Sequence, residues 1–144
     1  MNLMLRRDAC LLQSEAAFSV YAHCVYRPDY GKYLREIAKP AANGELQAFI
    51  CLAEGEISGI LVLRPAEDGA EIEGIAVSPA CRNRGVGRYM ILQAIQQADL
   101  RRLTAETDDA SVDFYRKCGF GIARKIRKFP DGEAIRYLCT FENN

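Results

Sequence analysis

A turn rich in glycine and arginine, placed between a strand pattern and a helix pattern, constrains the fold of this chain more than any other feature. The turn "RNRGVGR", residues 82–88, follows the run "IEGIAVSP" and precedes "YMILQAIQQAD". The first amide groups of a helix lack intrahelical acceptors and carry partial positive charge, and glycine lets a ligand approach the backbone closely. The turn therefore predicts an anion site, most simply for phosphate, at the start of a helix. The apolar face of that helix is formed by Val86, Met90, Ile91, Ala94, Ile95 and Ala98.

Two common phosphate-binding motifs do not fit this turn. A dinucleotide-binding GxGxxG motif needs a third glycine where this chain has Met90. A P-loop needs lysine and then serine or threonine after its last glycine, where this chain has Arg88 and Tyr89. A phosphate motif of another class is required.

The remaining periodicity predicts a mixed α/β chain. A short strand near Leu3–Leu5 precedes a helix from Asp8, its cap, to about Tyr26, and a second helix covers about Asp29 to Ala38. Three strands, the helix after Arg84, a strand, a short helix and a C-terminal hairpin follow. This order predicts a mixed sheet with helices covering its faces, in a single domain of residues 1–144.

Composition excludes several classes of function. Lysine and arginine balance aspartate and glutamate at 19 each, which argues against bulk attraction to nucleic acid or membrane. No apolar window approaches the length of a membrane span, and the N-terminal segment carries charges where a secretory signal is apolar, so we expect a cytoplasmic protein. Six scattered cysteines and one histidine predict reduced thiols and no metal site.

Two segments together resemble one known family. The sequence Arg82-Asn83-Arg84-Gly85-Val86-Gly87 is similar to the Gln/Arg-x-x-Gly-x-Gly/Ala signature of the GNAT superfamily of N-acetyltransferases, and "AETDDASVDFYRKCGF" resembles the family's second cofactor-lining segment. The close resemblance covers residues 70 to 121. It implies a mixed, mostly antiparallel sheet of about six to seven strands, splayed in the middle and flanked by about four helices.

The resemblance also implies acetyl-CoA as cosubstrate and assigns residues to it. Main-chain groups of residues 75–77 pair with the pantetheine arm, and the amides of residues 82–88 hold the diphosphate. Asp108 stands where the family often has an asparagine, and it lacks the amide donors of that residue. The residues assigned to the coenzyme are Ile75, Ala76, Val77, Arg82, Asn83, Arg84, Gly85, Val86, Gly87, Arg88 and Asp108.

The same resemblance assigns the chemistry to two side chains. Tyr115 aligns with the tyrosine that returns a proton to the leaving thiolate, and a pKa of about 10 suits that role. Glu73 is the candidate base, either directly or through a chain of water molecules, and Glu71 can share its face of the strand. Cys81 and Cys118 are weaker candidates for a covalent intermediate, because no histidine accompanies either of them.

The sequence does not identify the molecule that accepts the acetyl group. The implied acceptor site lies at residues 20–40 and 125–138, where four tyrosines either line a pocket or fill a core. His23 is interpreted as a helix-surface or partly packed residue. We expect a small-molecule amine more than a protein amine, no nucleic-acid partner, and either a monomer or a homodimer. A non-catalytic acyl-CoA-binding or sensing domain is the alternative function, and a nucleotide- or RNA-binding module is a third. The four tyrosines are Tyr21, Tyr26, Tyr30 and Tyr33.

Overall fold

Seven strands form one sheet in a computed structural model that describes residues 1–143. The strand order is β1-β2-β3-β4-β5-β7-β6, and every neighbouring pair is antiparallel except β4 and β5. The predicted mixed, mostly antiparallel sheet is confirmed. The strands are β1 (Leu3–Arg7), β2 (Gln47–Ala53), β3 (Glu56–Ala66), β4 (Gly69–Val77), β5 (Arg102–Thr107), β6 (Gly121–Phe129) and β7 (Gly132–Glu142).

The helical segments lie on the two faces of this sheet. Residues 30–42 form one continuous segment that includes a π-helical turn, so the described chain has four main helical segments and three 3₁₀ turns. The helices are α1 (Glu15–Tyr21), α2 (Tyr30–Tyr33) with the π turn Leu34–Ala38 and α3 (Lys39–Ala42), α4 (Val86–Gln97) and α5 (Val112–Lys117). The 3₁₀ turns are Leu11–Gln13, Ala22–Cys24 and Pro79–Cys81. No helix of residues 1–143 is both long and apolar enough to cross a membrane.

Two apolar clusters hold the helices against the sheet. On one face α1 to α3 contribute Leu12, Ala17 and Tyr33 to a core that also contains Ile60 and Val62 of β3. On the other face α4 and α5 pack on alternate residues of the same strands, such as Leu61 and Leu63. The central strands are therefore buried on both sides, which requires the long apolar runs seen in the sequence.

The first helix begins later than the sequence pattern predicts. Asp8 is a cap, but its carboxylate accepts the Leu11 amide (2.8 Å) at the start of the first 3₁₀ turn, while its own amide donates to Ala48 of β2. Helix α1 starts only after Ser14, whose hydroxyl accepts the Ala17 amide (3.1 Å). The predicted helix from Asp8 to about Tyr26 is wrong at both ends, because sheet pairing holds residue 8 and a 3₁₀ turn ends the helix.

The second helical segment extends beyond its predicted end. Asp29 caps it by accepting the Lys32 amide (2.9 Å), as the pattern indicates. Pro40, two residues after the predicted end at Ala38, lies in the first turn of α3, directly after the π turn. Proline has no amide hydrogen to donate, and Pro40 lies where the backbone hydrogen bonds change from the π-helical to the α-helical pattern. The segment therefore continues to Ala42.

Candidate functional site

The principal cleft opens where the two parallel strands at the middle of the sheet separate. β4 and β5 are paired only from Gly69–Arg102 to Glu71–Thr104. Beyond that point residues 72–77 of β4 have no strand partner on the side of β5, and a cleft of about 710 Å³ lies between the strands. An unpaired strand edge offers amide donors and carbonyl acceptors to an extended ligand.

Glu73 lies at a bulge in the wall of this cleft. In the β3–β4 ladder Leu63 is opposite Ile72 and Val62 is opposite Gly74, so Glu73 is the extra residue. Bulges of this kind change the direction of a side chain and are common beside functional sites. The Glu73 carboxylate forms an ion pair with Arg64 (3.0 Å), and its side chain is 30% exposed. Of the two strand glutamates, only Glu73 lines the cleft.

Gly74 follows the bulge and allows α1 to approach β4. A side-chain carbon at this position would collide with the hydroxyl and ring of Tyr21. The Tyr21 ring is buried between β4 and the aromatic cluster of α2, and this burial is the main cause of its raised pKa. The absence of a side chain at Gly74 thus brings the end of α1 to the cleft.

The arginine- and glycine-rich turn forms one end of the cleft. Gly85 precedes α4 with a φ of 81°, a left-handed conformation that favours glycine, and no side chain caps the first turn of the helix. Arg82, Asn83, Arg84 and Arg88 are exposed, and Arg82 also lines the cleft and reaches the Val77 carbonyl (3.4 Å). The amides and arginines of this turn meet the requirements of an anion site.

Two residues of the same turn, Val86 and Gly87, are buried and pack within the protein. Val86 is buried in the core, so only its main chain is available to a ligand. Gly87 is also buried, and a Cβ there would lie 2.9 Å from the Phe114 ring of α5. Gly87 therefore allows close packing of α4 on α5, which is a role that the sequence did not indicate.

Asp108 and Tyr115 bring the second segment to the same cleft. The Asp108 carboxylate accepts the amides of Ala110 (3.1 Å) and Ser111 (3.2 Å), and this orients the start of α5. Tyr115 is 5% exposed and lies between the rings of Phe114 and Phe120, with centroids 5.1 and 5.3 Å away. Desolvation is the main cause of the raised pKa of Tyr115, so its hydroxyl is protonated at neutral pH.

The geometry agrees with a match to a family model. The model described as "Acetyltransferase (GNAT) family" matches residues 11–120, which is most of the chain. This chain belongs to the GNAT acetyltransferase family. No curated protein is similar enough in sequence to match it.

Solved GNAT structures share the fold over nearly the whole chain. A ribosomal-protein alanine N-acetyltransferase from Escherichia coli has 18% identity, a TM-score of 0.73 and coverage of 98% of this chain and 94% of its own. A GNAT acetyltransferase from Elizabethkingia anophelis with acetyl-CoA bound has 20% identity, a TM-score of 0.72 and 99% coverage of both chains. A Bacillus subtilis acetyltransferase in complex with CoA has 17% identity, a TM-score of 0.74 and coverage of 99% and 100%. The expected GNAT fold is confirmed.

The cleft of this GNAT chain also contains residues that the sequence did not reveal. His23, Cys24 and Val25 line it from the 3₁₀ turn after α1 and the residue that follows. Although Cys24 is exposed as a residue, its thiol lies beside the Tyr21 hydroxyl and the Ile75 main chain, and desolvation raises its pKa to about 11. His23, interpreted from the sequence as a helix-surface or partly packed residue, is exposed in this 3₁₀ turn and lines the cleft. The sequence signal for this placement is Pro28, which ends the helical pattern a few residues after His23, Cys24 and Val25.

Other candidates lie away from the cleft. Cys118 is buried in the core beneath α5, and Cys81 packs against the same core, so neither thiol lines the cleft. Tyr21 and Tyr33 are buried in the core and also line a small pocket beside α1 and α2. Tyr30 packs against the same core, whereas Tyr26 is 84% exposed. Within residues 1–143 no group of three or more histidine, cysteine, aspartate or glutamate side chains is arranged to hold a metal ion.

Charged side chains form the wall opposite Glu73. Glu106 of β5 lines the cleft, and its carboxylate contacts Arg127 (2.6 Å) and Lys125 (2.8 Å) of β6 and Arg136 (3.5 Å) of β7. Hydrogen bonds from Arg127 and Lys125 are the main causes of a Glu106 pKa lowered to about 2. Glu106 is therefore ionised at neutral pH. Arg136 also lines the cleft.

Proposed function

We propose that this chain is an N-acetyltransferase that moves an acetyl group from acetyl-CoA to a primary amine by direct attack in a ternary complex. The observation that carries this proposal is the combination of an unpaired β4 edge with an uncapped, arginine-rich helix start at the end of the same cleft. Two relatives of the same fold have acetyl-CoA or CoA bound. The whole chain is proposed to act as a single domain.

In this proposal the coenzyme binds mainly to main-chain groups. The pantetheine arm pairs with residues 75–77 as an added strand, and the amides of residues 82–88 hold the diphosphate, with the exposed arginines adding charge. Because the carboxylate of Asp108 already accepts two amides of its own loop, we propose that it positions α5 and that any coenzyme contact there is made by neighbouring amides.

Tyr115 is proposed to be the general acid. Among the described residues its hydroxyl has no hydrogen-bond partner, and its ring is held from both sides, so the hydroxyl is free to donate to the departing thiolate. Desolvation raises the pKa of Tyr115, so its hydroxyl is protonated at neutral pH and can act as a hydrogen-bond donor to the thiolate, although the burial also makes it a weaker acid than free tyrosine. An amide near Val77 is proposed to polarise the thioester carbonyl.

Glu73 is the proposed base, either directly or through water. It is the bulged residue on β4, it lines the cleft, and part of its carboxylate is accessible despite the ion pair with Arg64. A carboxylate in this position attracts the ammonium form of an acceptor and accepts a proton through a short chain of waters.

The alternative is an acyl-CoA-binding domain without turnover. The free Tyr115 hydroxyl and accessible Glu73 in one cleft favour the enzyme, because binding alone needs neither. The six free cysteines support a reducing compartment, and the cytoplasm is the proposed location. An acceptor amine is part of the proposal, and its class is addressed in the next subsection.

Calorimetric titration with acetyl-CoA, CoA and 3′-dephospho-CoA tests the coenzyme site. We expect saturable binding, weakened about tenfold or more by Arg84→Glu, because this exposed residue of the turn would then repel the diphosphate. The matched control is Arg124→Glu on β6, which makes the same charge change away from the cleft. Failure of all three compounds to bind would refute the proposal, and binding without turnover over a broad amine panel would favour the alternative.

A further inference from the structure

The charge on the wall opposite Glu73 is not used by the proposed acetyl transfer. Three basic side chains, Lys125, Arg127 and Arg136, converge on the single carboxylate of Glu106, which leaves a local excess of two positive charges. All four side chains remain partly exposed, between 29% and 50%. Like charges held this closely repel one another, and a further anion beside them would be stabilised.

This cluster lies on the face of the sheet opposite the proposed diphosphate turn. Ala105 and Cys139 point into the core beneath α4 and α5. Because side chains alternate along a strand, Glu106 and its register partner Leu138 lie on the other face, which α1 to α3 cover only over β1 to β4. The cluster therefore borders the end of the cleft that the coenzyme turn does not occupy.

Arg136 is the member of the cluster best placed to bind a ligand. It is the only one of the three cations that lines the cleft. Its contact with Glu106, 3.5 Å from Nε, is much longer than the 2.6 and 2.8 Å contacts of Arg127 and Lys125. A guanidinium has five donors in a planar fork that fits a carboxylate in two-point contact, and a single long contact leaves most of that fork available.

The two walls of the cleft thus differ in charge. On the β4 wall the carboxylate of Glu73 is balanced by Arg64, whereas the β5–β7 wall keeps an excess of positive charge around Arg136. The proposed diphosphate site is separate, at the start of α4. A molecule with a cationic amine and a nearby carboxylate matches this distribution, whereas a polyamine or a simple alkylamine would meet repulsion at Arg136.

We propose that the acceptor is an amino acid or a related small amino-carboxylate, whose carboxylate binds Arg136 with support from Lys125 and Arg127. The inference rests on the proposed acetyl transfer. In the resulting arrangement the amine lies toward Glu73 and the thioester, and Glu106 holds the two supporting cations in place. Arg136 then determines acceptor specificity and takes no part in proton transfer.

Matched ligands that differ only in the carboxylate test this inference. The full chain, with and without saturating CoA, is titrated calorimetrically with N-acetyl amino acids covering small, apolar, acidic and basic side chains, each paired with its carboxamide. We expect at least one acid to bind about tenfold or more tightly than its amide, as a charge-assisted contact predicts. Arg136→Gln should remove the preference, and Lys125→Gln should reduce it. Arg124→Gln, on the same hairpin away from the cleft, should preserve it.

Turnover gives a second readout. Amino acids should exceed their decarboxylated amines in kcat/KM by about tenfold or more, and Arg136→Gln should lower this ratio mainly through KM. Equal binding of acids and amides across the panel, or a preference that survives Arg136→Gln, would overturn the inference. A stronger preference for aminophosphonates than for the corresponding amino acids would also overturn the inference. A chain that binds acetyl-CoA and acetylates simple amines without regard to a carboxylate would retain the proposed function and lose only this inference.

Discussion

The two walls of the cleft present different chemical groups. The β4 wall and the start of α4 offer main-chain groups. Gly74 allows α1 to approach β4, Gly87 allows α5 to approach α4, and Gly85 adopts the left-handed conformation that begins α4. The wall of β5, β7 and β6 offers charged side chains around Glu106. Main-chain recognition suits a ligand common to a whole family, whereas side-chain charge is easily changed between members and suits a ligand specific to one of them.

The largest effect is expected from Tyr115→Phe, which removes chemistry from the cleft without altering either wall. The phenylalanine keeps the packing between Phe114 and Phe120, so the affinity for acetyl-CoA should be unchanged. Loss of the proton donor should lower kcat about 100-fold or more. Steady-state kinetics and calorimetry on the same variant measure the two quantities. A normal kcat would exclude Tyr115 as the general acid.

A smaller effect is expected from Gly74→Ala, which tests whether the β4 wall tolerates a side chain. The added methyl group collides with the Tyr21 ring, so α1 must move, and we expect a loss of about 1–3 kcal/mol in the free energy of unfolding. The matched control is Gly121→Ala on β6, where the nearest atom to the added carbon is 3.7 Å away. Urea denaturation of both variants measures the difference. Equal stability of the two would contradict the close approach of α1.

The smallest effect is expected from Glu106→Gln on the charged wall. A folded-state pKa of about 2, below the usual 4.5, means that ionised Glu106 stabilises the protein fully above about pH 4.5. That contribution is lost as the pH falls toward 2. After solvent screening we expect the variant to be less stable at pH 7 by under ~1 kcal/mol, and the deficit to be smaller at pH 3.

Urea denaturation of Glu106→Gln and the wild type at pH 7 and pH 3 provides the comparison. Glu133→Gln, an exposed substitution on β7 with no ion pair among the described residues, is the control for a change of net charge. A deficit that grows on acidification would reverse the predicted sign and would show that the basic cluster does not stabilise the Glu106 carboxylate.

The same contrast between the walls explains what the sequence revealed. The turn before α4 is evident in the sequence because close approach and helix starts require particular residues at short spacing, and the segment around Tyr115 is evident through its family resemblance. Glu106, Lys125, Arg127 and Arg136 are far apart in the chain, and only the strand order β5-β7-β6 brings them together. No local pattern indicates that order, so the sequence alone does not bring the basic residues of β6 to the cleft.

The N-terminal region shows the same limit at the level of secondary structure. Asp8 and Ser14 both have the features of a helix cap, and both act as caps. Pairing of residue 8 with Ala48, 40 residues away in sequence, decides that only the second begins an α-helix. The position of His23 and Cys24 at the cleft likewise depends on β4, because Gly74 admits Tyr21 and draws the end of α1 inward.

The separation of β4 from β5 has a consequence for solubility. A strand edge without a partner usually invites a strand of another molecule and promotes aggregation. Here residues 72–77 face β5 across a cleft, and the pairing at Glu71 closes one end of the opening. To pair there, a strand from a neighbouring molecule would have to enter the cleft between β4 and β5. The free backbone groups of residues 72–77 thus lie inside a cleft and not along an outer edge of the sheet.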